Sequence, residues 1–203
     1  WENDPVITLP EGLTSGSMKG TIVISKGKYS EKLSVDLLIP SLEDGLRLRY
    51  EFEDGKAADV SGNGRDGASY GTLKEADGIN GKAMYFSGGY VHMPEDVIQG
   101  LERFSVSVWI NPLSDFQYAR VWDIGSGENN FVNLWLRSDT ERKYSCNIRL
   151  NESTTQRNQA EKATFKTGTW RNLVVTYDEA DNSRITIYED GEMLASIQTG
   201  KKL

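Results

Sequence analysis

The chain has 203 residues and a formal net charge of −7, because 30 acidic residues outnumber 23 basic ones. This balance argues against a nucleic-acid partner, since binding to phosphate backbones requires clustered Lys and Arg. Membrane insertion is not expected either, because no apolar run approaches the roughly 18 residues of a membrane-spanning helix. The single cysteine, Cys146, excludes an internal disulfide, and the single histidine, His92, excludes a zinc site built on several imidazoles.

Alternation of apolar and polar residues predicts short strands along almost the whole chain. The dipeptide Asp190-Gly191 between the last two predicts a tight hairpin, and Lys26 to Lys28 predicts a turn between the first two. Residues 95–101 are the one stretch that fits a short helical turn. About ten short strands without a long amphipathic helix predict an all-β sandwich of two antiparallel sheets. The predicted strands are 21–24, 33–37, 46–53, 83–86, 104–110, 131–136, 144–150, 172–177, 184–188 and 193–197.

A change in composition near Pro40 divides the chain. We interpret residues 41–45 as a linker, with a short β segment at 1–40 before it and a main domain at 46–203 after it. A segment of about 40 residues buries too little surface to be stable alone. Residues 1–40 resemble the C-terminal part of the degenerate bacterial immunoglobulin-like domains of secreted glycan-degrading proteins, with strands matching 18–26 and 29–38.

A series of motifs occurs in order along the main domain. They are YEFE at 50–53, DVSGNGRDG at 59–67, GKAMYFSG at 81–88, YVHMP at 90–94, FSVSVWI at 104–110, WRNLVVTYD at 170–178 and IYEDG at 187–191. Together they resemble the laminin-G-like, concanavalin A-type jelly-roll family in its bacterial secreted form. The resemblance implies a jelly roll over 46–203 and a secreted, cell-surface or periplasmic location. Such domains end in a strand resembling G-x-I-D-E-x-x-I-Y, which is missing here, so we expect another polypeptide or a missing segment to supply it.

The loop from Asp59 to Gly67 is a candidate calcium site, since Asp and Asn oxygens on Gly-containing turns suit a hard cation. The family resemblance implies a structural Ca²⁺ near this loop and the first strand. Asp59 and Asn63 are the candidate ligands, and Glu51 and Glu53 share one face of the predicted strand beside it. The alternative is that the loop residues only fix turns through hydrogen bonds to the backbone, and that the two glutamates face solvent.

A second candidate site is a carbohydrate-binding surface near the predicted loop 111–127. Aromatic rings there can stack on sugars while polar neighbours bond the hydroxyls; the alternative is that they seal one end of the sandwich. Trp109, Trp135 and Trp170 alternate with other apolar residues and are expected in the core. The candidate binding residues are Phe116, Tyr118, Arg120, Trp122, Asn129, Asn130, Arg137 and Arg149.

No catalytic residues are predicted. The E-x-D-x-x-E spacing of glycosidases with this fold is missing, Cys146 is expected in the core, and His92 is expected to be structural. The family resemblance therefore implies a non-catalytic accessory module, binding a polysaccharide or oligosaccharide, of an extracellular bacterial glycoside hydrolase or related protein with a neighbouring catalytic domain. An adhesion or protein-interaction module and a structural spacer are the alternatives.

Overall fold

The computed structural model describes residues 16–26, 28–39, 44–114, 116–137, 143–150, 156–160 and 166–203. Within these ranges regular structure is entirely β, which confirms the predicted all-β class. The strands are β1 (Gly16–Lys26), β2 (Tyr29–Ile39), β3 (Ala68–Asp77), β4 (Lys82–His92), β5 (Arg103–Ile110), β6 (Arg120–Gly125), β7 (Asn130–Trp135), β8 (Ser145–Leu150), β9 (Gln156–Gln159), β10 (Arg171–Asp178), β11 (Arg184–Glu189) and β12 (Glu192–Gln198).

The chain divides into two compact units, one of residues 1–76 and 84–97 and one of residues 77–83 and 98–203. In the first, β1 and β2 form an antiparallel pair that runs from Gly16 opposite Ile39 to Lys26 opposite Tyr29. This pairing confirms the hairpin predicted at 26–28, of which Gly27 lies outside the described residues. Most of the predicted linker also lies outside them. The immunoglobulin-like assignment of 1–40 and the missing closing strand stay predictions.

The second unit contains two antiparallel four-stranded sheets, which confirm the predicted sandwich. We call them the β5 sheet, of order β12-β11-β10-β5, and the β7 sheet, of order β6-β7-β8-β9. Alternate side chains of both sheets meet in one hydrophobic cluster. Each fully buried Leu, Ile or Val contributes about 1.5–3 kcal/mol to folding. The buried members are Trp122, Val132, Leu134, Leu136, Tyr144, Cys146, Ile148, Leu173, Val175, Tyr177, Ile185 and Ile187.

Trp109 does not belong to this cluster. It lies in β5 and remains 49% exposed, because Val108 and Ile110 on either side of it point inward. The prediction that Trp109 is a core residue is therefore wrong: in a strand of period two, only one of two adjacent residues faces the core.

The predicted strand at 46–53 is also wrong. These residues form no ladder, and only an isolated bridge joins Tyr50 to Asp59. Phe52 has a φ of 60°, which lies outside the extended region. The predicted helical turn at 95–101 is a run of turns instead, in which Leu101 N–H donates to the Ile98 carbonyl at 3.1 Å.

Candidate functional site

The outer face of the β7 sheet carries a row of polar side chains that crosses all four strands. Asp123 lies opposite Asn133, Asn133 opposite Asn147, and Asn147 opposite Arg157. Residues directly opposite in an antiparallel pair share a face. Because the adjacent residue Leu134 belongs to the core cluster, these four side chains point away from it. We call Asp123, Asn133, Asn147 and Arg157 the polar row.

Hydrogen bonds connect the polar row from side chain to side chain. Asn133 Nδ2 donates to Asp123 Oδ2 at 3.4 Å, and Asn147 Nδ2 donates to Asn133 Oδ1 at 3.0 Å. Ser145 Oγ donates to Asn147 Oδ1 at 3.2 Å. Asn133, Ser145 and Asn147 are all 0% exposed. Buried amides that satisfy one another in this way hold a fixed geometry, because any rotation would leave a donor or acceptor unpaired.

Two aromatic rings lie beside the polar row. Trp135 lies on β7 two residues after Asn133, where it is opposite Arg120 on β6 and Ser145 on β8. Its ring has the guanidinium carbon of Arg157 above it, 5.5 Å from the centroid, and the Tyr118 ring against it edge-on, with centroids 5.2 Å apart. The indole Nε1 of Trp135 is buried and has no hydrogen-bond partner among the described residues.

Tyr118 is held in an unusual backbone conformation with a φ of 63°. A positive φ is an outlier for a bulky residue and costs on the order of 1 kcal/mol. Tyr118 N–H donates to the Arg137 carbonyl at 2.7 Å, and Leu136 N–H donates to the Ala119 carbonyl at 2.7 Å. These two bonds extend the pairing of β6 with β7 and fix the Tyr118 ring, which is 49% exposed, against Trp135.

Guanidinium groups border the same face. The Arg120 side chain is 54% exposed, and its Nε lies 2.5 Å from Asp123 Oδ2. Arg149 lies opposite Phe131, and its Nη1 donates to the Glu128 carbonyl at 3.1 Å. Arg120 and Arg149 thus place two guanidinium groups at the border of this face.

The structure brings part of the predicted binding set together. Tyr118, Arg120, Arg137 and Arg149 lie on or beside this face. Phe116 is 74% exposed in the segment before β6; Asn129 is exposed in the turn before β7, and Asn130 begins that strand.

Trp122 has a different environment. It lies in β6 rather than in a loop, is 9% exposed and belongs to the core cluster, because it is opposite Leu134 on the inward face. A ring with so little exposed surface offers no face for a sugar, so the candidate surface does not include it.

Sequence reasoning missed Asp123, Asn133, Asn147 and Arg157, and it assigned Trp135 to the core. One signal for Trp135 was present in the sequence. In the segment FVNLWL at 131–136, the polar residue Asn133 marks the positions of the strand that face away from the apolar core, and Trp135 is two residues further along.

Comparisons with known proteins identify the family. A model of the concanavalin A-like lectin/glucanases superfamily, Laminin_G_3, matches residues 86–202. The chain belongs to this superfamily. A search of curated proteins gives no significant match. Within the described ranges, no helix has the length and apolar character needed to cross a bilayer.

Two solved structures are similar to this superfamily member. One is domain 4 of AbnA, a GH43 extracellular arabinanase from Geobacillus stearothermophilus, in complex with arabinotriose; it is 21% identical, with a TM-score of 0.66 and 77% of each chain covered. The other is a botulinum neurotoxin type C, whose cell entry depends on interaction with two ganglioside molecules; it is 15% identical, with a TM-score of 0.49, and the match covers 71% of this chain and 36% of that one. At these identities the likeness shows the fold alone.

The candidate calcium loop of this superfamily member is held by hydrogen bonds. Asp59 Oδ1 accepts from Arg49 N–H at 3.1 Å and Ser61 N–H at 2.9 Å. Asp59 Oδ2 accepts from Ser61 Oγ at 2.9 Å and Arg65 N–H at 2.8 Å. Burial raises the pKa of Asp59, but these hydrogen bonds, that of Arg65 first, outweigh it and hold the pKa well below its usual range. The carboxylate thus fixes the loop as the turn-forming alternative expects.

The other predicted calcium ligands are engaged in different ways. Asn63 Nδ2 donates to the Leu46 carbonyl at 2.7 Å, and Glu51 pairs with Arg49 at 2.6 Å. Glu53 is exposed. The described residues contain no group of three or more acidic, His or Cys side chains placed to hold a metal. Calcium binding at Asp59, Asn63, Glu51 and Glu53 stays a prediction.

Three side chains of the described residues, Cys146, Ser69 and His92, belong to types that serve in nucleophilic catalysis. Cys146 is 0% exposed, and burial raises the pKa of its thiol to about 12, so it is not a thiolate near neutral pH. Residues 67–71 read GASYG, which matches the G-x-S-x-G pattern of hydrolase nucleophiles. However, Ser69 lies within strand β3 rather than at the strand-to-helix turn which that chemistry requires. His92 is exposed at the end of β4.

Proposed function

We propose that this chain is a non-catalytic carbohydrate-binding module of an extracellular bacterial glycan-degrading protein, and that it binds an oligosaccharide on the outer face of the β7 sheet. The observation that carries the proposal is the Tyr118–Trp135 ring pair beside the polar row. Aromatic rings supply the apolar contact for the C–H face of a sugar, and a few fixed polar groups orient its hydroxyls.

The site also contains features that a ligand would use. The buried amides of Asn133 and Asn147 keep Asp123 and the strands around it in place. The Nε1–H of Trp135, which has no partner among the described residues, is a donor that a sugar hydroxyl can satisfy once the ring is uncovered. The similar fold of AbnA domain 4, whose structure contains arabinotriose, supports a saccharide ligand. A shallow site of this kind binds weakly and serves to keep a neighbouring catalytic domain near its substrate.

Isothermal titration with arabinotriose and other oligosaccharides tests the proposal. Tyr118→Asn removes the ring while suiting the left-handed backbone, since Asn tolerates positive φ. We expect it to weaken binding about tenfold, equivalent to about 1.4 kcal/mol. Trp109→Ala is the matched control: it removes an aromatic side chain that is 49% exposed on the outer face of the β5 sheet. Equal losses in the two variants, or no binding of any saccharide by the wild type, would contradict the proposal.

One observation favours the alternative of a protein-interaction module. Tyr70 and Tyr90 stack with ring centroids 5.2 Å apart, and they remain 50% and 57% exposed. Exposed aromatic side chains of this kind are enriched at protein interfaces. Sedimentation velocity over a concentration series tests this for contacts between copies. Self-association that the double variant Tyr70→Ser, Tyr90→Ser abolishes would support it, and a monomer at all concentrations would count against such contacts.

A further inference from the structure

The ring of Trp135, the central aromatic side chain of the proposed surface, is covered by Arg157. The guanidinium carbon lies 5.5 Å from the ring centroid, a cation–π contact. A sugar that stacks on this ring must first displace Arg157. The chemistry that displaces it therefore decides which saccharides bind.

We propose that the ligand of this surface is an acidic oligosaccharide, whose uronate carboxylate pairs with Arg157 and draws the guanidinium off the Trp135 ring. This inference rests on the proposed function, and it specifies the substrate class of the same site. A charge-assisted, bidentate Arg–carboxylate pair is stronger than a cation–π contact at an exposed position. An acidic sugar thus gains more than it displaces, and it exposes the ring on which it stacks.

The charges around Arg157 favour this exchange. Arg157 is exposed at one end of the polar row, and among the described residues no carboxylate pairs with it. Asp123, the carboxylate of the row, lies at the opposite end and is engaged by Arg120 at 2.5 Å and by Asn133 Nδ2 at 3.4 Å. Within the described part of the chain, Arg157 thus has no anionic partner, and its guanidinium can pair with a carboxylate from solution.

For a neutral sugar, displacing Arg157 is unfavourable. It must displace Arg157 from the ring and return the guanidinium to water without giving it a new partner. Removing the Arg157 side chain should therefore have opposite effects on the two ligand classes: it removes the anchor for a carboxylate, and it uncovers the Trp135 ring for a neutral sugar. A side chain with a merely structural role would change both affinities in the same direction.

Isothermal titration of the full chain with a galacturonate trisaccharide and with its fully methyl-esterified form tests this inference, because esterification removes the negative charges and adds only one methyl group to each uronate. A mannuronate trisaccharide and arabinotriose complete the panel. For the wild type we expect at least tenfold tighter binding of a uronate trisaccharide than of the neutral ligands, falling steeply between 50 and 300 mM NaCl. For Arg157→Ala we expect at least a tenfold loss for the uronate and an equal or tighter affinity for the ester.

The control is Arg103→Ala, which removes an exposed guanidinium from the outer face of the β5 sheet and should leave all affinities unchanged. Wild-type protein that binds arabinotriose or the ester as tightly as both uronates would overturn the acidic specificity and leave the proposed function standing. Equal weakening of uronate binding and ester binding by Arg157→Ala would likewise overturn the acidic specificity and leave the proposed function standing. Failure to bind any ligand of the panel would overturn the inference and the proposed function together.

Discussion

The hydroxyl of Tyr144 donates a hydrogen bond to Oε1 of Glu189 at 3.1 Å. Tyr144 immediately precedes β8 of the β7 sheet, and Glu189 ends β11 of the β5 sheet, so this contact joins the two sheets of the sandwich. Asn158 makes a second link, since its Nδ2 donates to the Ile185 carbonyl at 3.0 Å. These two polar contacts help to fix the sheets relative to each other across the hydrophobic cluster.

We expect Tyr144→Phe to destabilise the protein by about 1–2 kcal/mol, because the side chain is 0% exposed and removal of its hydroxyl takes away the hydrogen bond to Glu189. The change removes one oxygen and creates no large cavity. Urea unfolding at neutral pH measures the effect. The control is Ser107→Ala on the exposed face of β5, for which about 0.5 kcal/mol or less is expected. Equal stabilities of wild type and Tyr144→Phe would contradict the link between the sheets.

Glu189 should give the protein a distinctive pH dependence. Burial raises its pKa, and the hydrogen bond from Tyr144 and the charge of Arg171 offset this only in part. A raised pKa means that the folded state favours the protonated acid. Its stabilising effect is complete below the unfolded pKa of about 4.3 and is lost as the pH rises through the higher folded value. Relative to Glu189→Gln, the wild type should lose stability as the pH rises over this window.

The loop around Asp59 gives a pH dependence of the opposite sign. Asp59→Asn should cost about 1–2 kcal/mol at pH 7, since a neutral amide cannot accept from both Arg49 and Arg65 N–H as the carboxylate does. The folded pKa of Asp59 is lowered. Its contribution is therefore present above the unfolded value of about 3.9 and is lost as the pH falls toward the folded one. The stability gap between wild type and variant should shrink below pH 4.

The same variant distinguishes the two roles of the loop. Calcium that binds through Asp59 should raise the thermal midpoint of the wild type over that in EDTA, and should not raise that of Asp59→Asn. If the Asp59 carboxylate only stabilises the turn, the thermal midpoint of the wild type should be the same in calcium and in EDTA. Asp59→Asn should still destabilise the protein in both.

Local chemistry in the sequence predicted the hairpins. Asp190 and Gly191 have φ angles of 51° and 86°, and two consecutive positive values define the type I′ turn that favours Asp-Gly. The strand predicted at 46–53 failed for a reason that alternation does not reveal. Its backbone groups pair with the loop instead: Arg49 N–H donates to Asp59 Oδ1, and Val60 N–H donates to the Arg49 carbonyl.

The candidate site was only partly predictable, because it is assembled by strand register. The face of Trp135 can be inferred from Asn133 two residues before it. In contrast, Asp123 and Arg157 lie on β6 and β9, which had not been predicted as strands. Asp and Asn, which occur in these two strands, are depleted in β structure, and the pairing of Asn147 with Arg157 depends on tertiary structure.

We expect Trp122 to contribute to the stability of the protein but not to its oligosaccharide affinity. Trp122→Phe should destabilise the protein by about 1–3 kcal/mol, because the indole lies in the core cluster at 9% exposure and a smaller ring leaves a cavity. No hydrogen bond is lost, since Trp122 Nε1 is without a partner among the described residues. Oligosaccharide affinity should stay within about twofold of the wild type by titration calorimetry. A tenfold loss of affinity in a folded variant would show that Trp122 contacts the ligand after all.

Asn147 tests whether the polar row is held by its amides. The side chain is 0% exposed and makes three hydrogen bonds with Asn133 and Ser145, so Asn147→Ala should cost about 1–3 kcal/mol by leaving their buried groups unpaired.

A second variant, Asn147→Asp, keeps the shape of the side chain but places a carboxylate oxygen next to Asn133 Oδ1. An ionised carboxylate cannot donate a hydrogen bond to that oxygen. The pKa of the introduced Asp in the folded state should therefore rise above the unfolded value of about 3.9, and the variant should regain stability as the pH falls through the folded value. Unfolding at pH 4 and pH 7 checks this, with Ser105→Ala on the other sheet as the control. An Asn147→Asp variant as stable as the wild type at pH 7 would mean that the hydrogen bonds between the Asn side chains do not hold the polar row in place.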